Sequence, residues 1–306
     1  MLTQSEKRRT LFFAIVVVSC TVCTTPRERP YLERRAQFRT KLLSPSPAPL
    51  DADPEAERPW APSYSNWKMP PDGLREVSYR SGGLELKAWV YEPPGVGAAL
   101  APALVYLHPG VGAAGSSWIG DTKPFVEAGF VVMLPTFRGE MGNPGHFEFA
   151  LGEVDDAKAA IVWLGEQPFV DRTRIYAFGW SYGGFLSAML SLLDDVPLRH
   201  SGSIGGLLSP GLFNDFEAGA LPFDRSNVEE NELRSLVGNI RWMKRKHYAY
   251  MGSADSFYVP AIVAAKHEMA RGASLLEIVM VPGEHFGSAL PGIALYFDLI
   301  EREQRK

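Results

Sequence analysis

IYAFGWSYGGFLSAML, residues 175–190, sets one apolar run against another with a small polar residue, Ser181, at the junction. Gly179 precedes that serine and Gly183 and Gly184 follow it. The first run is rich in strand formers and reads as a buried strand; the second reads as a buried helix. Gly179-Trp180-Ser181-Tyr182-Gly183 therefore fits G-x-S-x-G at a strand-to-helix turn, the one context in which that pattern carries a mechanism. Such a turn is sharp and strained. Flanking glycines avoid clashes with the neighbouring strand and helix, and the hydroxyl projects above the sheet. The first amides of the new helix, Tyr182 among them, face the space where an oxyanion would develop.

Outward from this turn, strand and helix signals alternate from Gly73 to the end of the chain. REVSYR and LELKAWVYEP read as an antiparallel pair joined at Gly82-Gly83. APALVYLHPG, FVVMLPT, RIYAFG, SGSIGGLL, HYAYMGS and LLEIVMV read as further strands. KPFVEAG, GEVDDAKAAIVWLGEQ, FLSAMLSLL, VPAIVAAKHEMARG and GIALYFDLIERE read as helices. In the second of these, Val154, Ala157, Ile161 and Leu164 form one apolar face. The alternation predicts an α/β fold, a mostly parallel central sheet with helices on both faces. Right-handed crossovers then line up the C-terminal ends of the strands along one edge, where open sheets bind ligands.

A serine hydroxyl needs an adjacent base, itself oriented by a third group. Ser181, Asp255 and His285 each follow a predicted strand and so fall on the same edge. His285 lies in VPGEHFGSAL, a glycine-containing loop after the last strand. His200 and His247 precede strands and belong to the opposite edge; His267 is inside a helix, and His146 is in a long loop. His108 follows a strand but precedes the serine. Asp255, in MGSADSFYVP, comes before His285, whereas Asp194 and Asp195 follow the nucleophile helix too closely. Asp215, Glu217 and Asp224 have no clear strand before them. The order Ser, Asp, His is that of the α/β-hydrolase fold, which is the fold expected here. Ser181 is then the nucleophile, Asp255 the acid and His285 the base. A second oxyanion donor is expected from HPGVGAAGSSW; Pro109 has no N–H, which leaves Gly110 or Val111. This chemistry calls for no metal and no organic cofactor.

Composition sets the outer limits. The 306 residues are 46% hydrophobic and 22% charged, enough for one sizeable core. A net charge of -4 without a basic stripe speaks against a nucleic-acid partner. Both cysteines, Cys20 and Cys23, sit near the N-terminus, so the expected domain has no thiol nucleophile and no cysteine zinc site. MLTQSEKRRTLFFAIVVVSCTVC joins Lys7, Arg8 and Arg9 to an apolar run from Leu11 to Ser19, too short to span a bilayer and suited to a secretory signal. Val17-Val18-Ser19-Cys20 resembles a bacterial lipobox, which implies a lipid on Cys20. Residues 24–72, with SPSPAPLDADPEAERPWAP in their middle, read as an extended tether with little to build a core, apart from some packing around Trp60 to Trp67. The expected division is a signal over 1–23, a tether over 24–72 and a catalytic domain over 73–306. The expected location is a bacterial membrane, held by the lipid and facing the periplasm or the cell exterior.

GWSYGGF, LPTFRGEMGNPG, GEVDDAKAAIVWLGEQPFVDRTRI, GSADSFYVP and VPGEH resemble the catalytic α/β-hydrolase domain of the prolyl oligopeptidase family, over roughly Gly73 to Glu303. The resemblance implies Ser181, Asp255 and His285 as the triad. It also implies Gly110 as the backbone donor, because the family's His-Gly-Gly-Pro stands here as His108-Pro109-Gly110-Val111. Family peptidases usually carry an N-terminal β-propeller, in place of which this chain has the tether. The expectation is therefore an esterase-like, small-substrate enzyme acting on a small ester or short peptide. A serine-type exopeptidase is the alternative, and a non-catalytic surface-binding protein is a more distant one. Residues 206–245 fall where this fold often inserts a cap; their aromatic and leucine side chains suit either an acyl pocket or core packing.

Overall fold

The structure, a computed structural model, describes residues 29–43, 73–97, 99–110, 118–216 and 220–305. In chain order it comprises α1 (Tyr31–Gln37), β1 (Arg75–Ser81), β2 (Leu84–Tyr91), β3 (Ala101–Leu107), α2 (Trp118–Glu127), β4 (Val131–Pro135), α3 (Gly152–Gly165) and β5 (Val170–Trp180). There follow α4 (Tyr182–Leu190), β6 (His200–Ile204), α5 (Val228–Leu233), β7 (His247–Gly252), α6 (Val259–Met269), β8 (Leu276–Val281) and α7 (Ala289–Gln304). One eight-stranded sheet runs β1-β2-β4-β3-β5-β6-β7-β8. The β1–β2 and β2–β4 pairings are antiparallel, and every pairing from β4–β3 onward is parallel. This is the mostly parallel sheet that the alternation predicts, in the α/β-hydrolase fold expected from the order of Ser181, Asp255 and His285.

Side-chain alternation along the strands divides the interior in two. Ala103, Val105 and Leu107 of β3 point into a core shared with Val154, Ala157, Ile161 and Leu164 of α3. Leu104 and Tyr106 point the other way, against Phe125 of α2 and Ile293, Tyr296 and Ile300 of α7. Strands covered on both faces have no solvent side to keep polar, which is why β4 reads Val-Val-Met-Leu-Pro and is buried throughout.

The expected tether over 24–72 needs correcting at residues 29–43. Within them α1 docks on the domain: Tyr31 is 1% exposed and its hydroxyl donates to the Leu233 carbonyl at 3.3 Å. Arg34 is buried and reaches Asn239 and, at 3.4 Å, Glu229. Arg35 donates to Asp155 at 2.6 Å, and Thr40 donates to Glu230 at 3.0 Å. The proline-rich composition averaged over the window hid YLERRAQ, whose tyrosine ring and arginine stems carry apolar area to bury. The remainder of 24–72, with Trp60 to Trp67, lies outside the described residues, as do the signal segment and Cys20.

Residues 206–245 mostly build core. Phe213, Phe223, Leu233 and Leu236 join the cluster around α3 and α4. Replacing Tyr31 with alanine is expected to cost about 3 kcal/mol, as for other buried aromatic truncations. Urea unfolding of the full chain measures this; an unshifted midpoint would mean that α1 contributes nothing to the fold.

Candidate active site

The elbow between β5 and α4 is a contact problem before it is a chemical one. Ser181 has φ 53° and ψ −117°, a strained conformation for a residue with a side chain. A Cβ on Gly179 would strike the Gly183 carbonyl, and one on Gly183 would strike the Leu107 carbonyl. On Gly184 it would come within 2.9 Å of Gly206 Cα. No other residue type fits these positions. The Ser181 N–H donates to the Ile204 carbonyl at 2.9 Å, which ties the strained residue to β6.

Across the sheet edge, the loop after β8 delivers His285. The Ser181 hydroxyl donates to His285 Nε2 at 3.0 Å, and His285 Nδ1 donates to Asp255 Oδ2 at 2.8 Å. The Asp255 carboxylate, 8% exposed and placed just after β7, holds the Nδ1–H tautomer and so leaves Nε2 free to accept. The imidazole is flanked by aromatic rings as well as bonded. Tyr258 stacks on it at 5.8 Å and Trp180 lies at 5.9 Å, while Gly205, at the end of β6, leaves room where a Cβ would sit 2.9 Å from His285 Cε1. The three residues expected from the sequence thus meet in one hydrogen-bonded chain.

Tyr182 is the first residue of α4, so its N–H has no partner within the helix. Gly110 ends the described part of the loop after β3, with φ 71°; Val111 lies outside the described residues. His200 and His247 begin β6 and β7, at the opposite edge, as the sequence order requires. His247 is held between Ser201 and Ser203 at 2.8 and 2.9 Å, and burial pushes it down to about 3.

A cavity of about 400 Å³ opens beside Ser181, walled by Phe149, Tyr182, Phe185, Phe216, Phe257 and Tyr258. Phe216 comes from the segment between β6 and β7, so that segment contributes to the cavity wall as well as to the core. Nothing in the sequence marks Phe149 as part of the site. It and Ala150 have φ 56° and 58°, and Phe149 packs its ring on Tyr182, Phe213 and Phe216 at 5.6, 6.0 and 5.4 Å. The strained pair is pinned from beneath: Glu153 accepts the Glu148 N–H at 2.7 Å and the Leu151 N–H at 3.3 Å. The Tyr182 hydroxyl accepts the Ala150 N–H at 3.2 Å. Arg138 bridges Glu148 and Asp156 at 3.0 and 2.7 Å.

Comparison with known proteins accords with this architecture. Residues 82–202 match the family model of X-Pro dipeptidyl-peptidase (S15 family). An uncharacterized peptidase of Bacillus subtilis, YtmA, is 33% identical over 124 residues, 39% of this chain and 46% of the relative. The chain thus spans less than half the length of that curated relative. Dipeptidyl peptidase 4 of Porphyromonas gingivalis superposes with a TM-score of 0.63 at 16% identity, over 75% of this chain and 35% of that one. A thermophilic esterase from Thermogutta terrifontis, solved with butyrate bound, gives 0.57 at 20% identity, over 76% and 97%. At such identities the structural likeness speaks for fold alone, and that fold is the α/β-hydrolase fold. The sequence matches add a likeness, over residues 82–202, to the S15 peptidase family model and, over 39% of the chain, to the Bacillus subtilis relative.

Burial pushes Glu153 up from 4.5 to about 8, with Asp156 and Glu148 adding to the shift. The native state therefore holds this proton more tightly than the unfolded chain does, and the stability it contributes is lost as pH rises from 4.5 to about 8. Glu153→Gln, uncharged throughout, is expected to lose less stability than the wild type between about pH 5 and about pH 8.5. Urea midpoints at the two pH values make the comparison, and equal losses in both proteins would contradict it.

Proposed function

We propose that the protein is a serine hydrolase that cleaves a carboxylic ester or amide through an acyl-enzyme on Ser181, with an apolar acyl group in the aromatic cavity. The observation that carries this reading is the continuous Ser181–His285–Asp255 chain at the wall of that cavity. His285 Nε2 takes the hydroxyl proton as Ser181 Oγ attacks the carbonyl, and Asp255 steadies the imidazolium. The N–H groups of Tyr182 and Gly110 receive the oxyanion. His285 returns the proton to the leaving group, and water then releases the acid by the reverse route.

An esterase-like, small-substrate enzyme is favoured within this class. Among the described residues lining the cavity the carboxylate is Asp255, already engaged by His285, so none of them offers an anchor for a substrate's free amine. A serine-type exopeptidase is the second reading, favoured by the match to the dipeptidyl-peptidase family model and by the relative named a peptidase.

A fluorophosphonate is expected to label the wild type on Ser181. Ser181→Ala should abolish labelling and lower kcat/KM by about 10⁴-fold or more. Turnover of p-nitrophenyl esters of apolar acids should exceed that of aminoacyl anilides; faster cleavage of anilides with a free amine would favour the exopeptidase, and an unlabelled folded wild type would refute the hydrolase. From residues 1–23 alone we also propose export and anchoring in a bacterial membrane through a lipid on Cys20. Cys20→Ser should then move the protein from the detergent phase to the aqueous phase on partitioning, and an unchanged distribution would exclude the anchor.

A further inference from the structure

Two phenylalanines on the cavity wall differ in their access to solvent: Phe257 is 41% exposed and Phe149 6%. Phe257 therefore stands at the mouth and Phe149 at the inner end. The Phe149 ring meets Tyr182, Phe185 and Phe216, which share that wall, at 5.6, 6.4 and 5.4 Å. On its other side it meets Phe213 and Phe223 at 6.0 and 6.4 Å; both are buried, and neither lines the cavity. Phe149 is thus the partition between the cavity and the aromatic core built by the segment between β6 and β7.

That partition is fixed from both sides of the chain. Phe149 and Ala150 have φ 56° and 58°, which residues with side chains keep only where their surroundings over-determine them. Arg234 donates to the Glu148 carbonyl at 3.0 Å, and Arg35 of α1 donates to the Leu151 carbonyl at 2.9 Å. Between these, the Ala150 N–H donates to the Tyr182 hydroxyl at 3.2 Å. The ring cannot swing aside for a longer chain without breaking buried hydrogen bonds, each of which would leave a polar group unpaired. A fixed apolar wall discriminates by size, at about 10- to 200-fold for a single methylene.

We propose that Phe149 is the specificity-determining residue that sets the upper size of the acyl group, with the Tyr182 hydroxyl as the group that positions it. The substrates are then esters of short apolar acids, and longer chains are rejected at the inner end rather than at the mouth. The proposal rests on the reading of Ser181 as nucleophile and of the cavity as the acyl site. Tyr182 carries both the ring against Phe149 and an oxyanion N–H. An oversized acyl chain that presses on Phe149 therefore disturbs the oxyanion site too, and lowers kcat as well as affinity.

The test uses the full chain and the p-nitrophenyl esters of acetic, butyric, hexanoic and octanoic acids, with fluorophosphonate titration to count competent sites. In the wild type, kcat/KM should fall by about tenfold or more from butyrate to octanoate. Per labelled site, Phe149→Ala should raise the octanoate-to-butyrate ratio by about tenfold or more, chiefly through octanoate kcat. Phe149→Leu, a smaller truncation for the case that the alanine variant does not fold, should raise it by about threefold. Tyr182→Phe removes only the hydroxyl and should move the ratio in the same direction. A wild type that turns over octanoate as well as butyrate would overturn the proposal, and so would an unchanged ratio in the folded Phe149 variants. An equal loss on every ester that follows the labelled fraction would also overturn it, because Phe149 would then serve folding only. Failure of the wild type to label would instead remove the nucleophile reading beneath it, and a labelled wild type without ester turnover would remove the acyl-site reading.

Discussion

The close approach of β5 to α4 through Gly179, Gly183 and Gly184 is the constraint on which the rest depends. The helix starts so near the strand that backbone meets backbone, and Ser181 is forced to a positive φ at the top of the sheet. That conformation is costly, on the order of 1–3 kcal/mol, and persists only because its surroundings leave no alternative. The Ile204 carbonyl holds the serine N–H, and the Leu107 carbonyl fills the space that a side chain on Gly183 would need. The strands β3, β5 and β6 that supply these contacts are the central ones, clad on both faces by packed side chains. Core packing thus sustains the strain, and the strain is what exposes the hydroxyl.

Around this point the protein places charged groups inside the fold as matched sets. Arg138 joins Glu148 and Asp156; Arg234 joins Glu230 and lies 3.9 Å over the Phe223 ring; His108 joins Glu140. Buried ion pairs add little net stability against apolar replacements, yet removing one partner is severe. Their value here is positional. Arg138 and Glu153 fix the loop that carries Phe149, and Arg234 also donates to the Glu148 carbonyl at 3.0 Å. The aromatic wall of the cavity is therefore set by hydrogen bonds made behind it.

The sheet and the triad were legible because both rest on local signals. Runs such as FVVMLPT and LLEIVMV announce strands, and Ser181, Asp255 and His285 each stand just past one. Helix α1 was not legible: its hydrogen-bonding partners are over a hundred residues away, and the prolines around it dominate the composition. Nor was Phe149, since a left-handed conformation at a phenylalanine leaves no mark in sequence, unlike one at glycine. The sequence offers no sign of a partner for His108. Its bond to Glu140 spans 32 positions and becomes visible only once β3 and β4 lie side by side.

Helix α1 also imposes an order of events. Ribosomes make it early, but Leu233, Glu229 and Asn239, against which Tyr31 and Arg34 are buried, emerge about two hundred residues later. Translation at roughly 5–20 residues per second leaves that interval at ten seconds or more. Throughout it, a tyrosine ring and a guanidinium destined for burial lack the residues that cover them, while β1 to β6 are being made. The first of the described helices therefore waits for residues made after β6 before it can be buried.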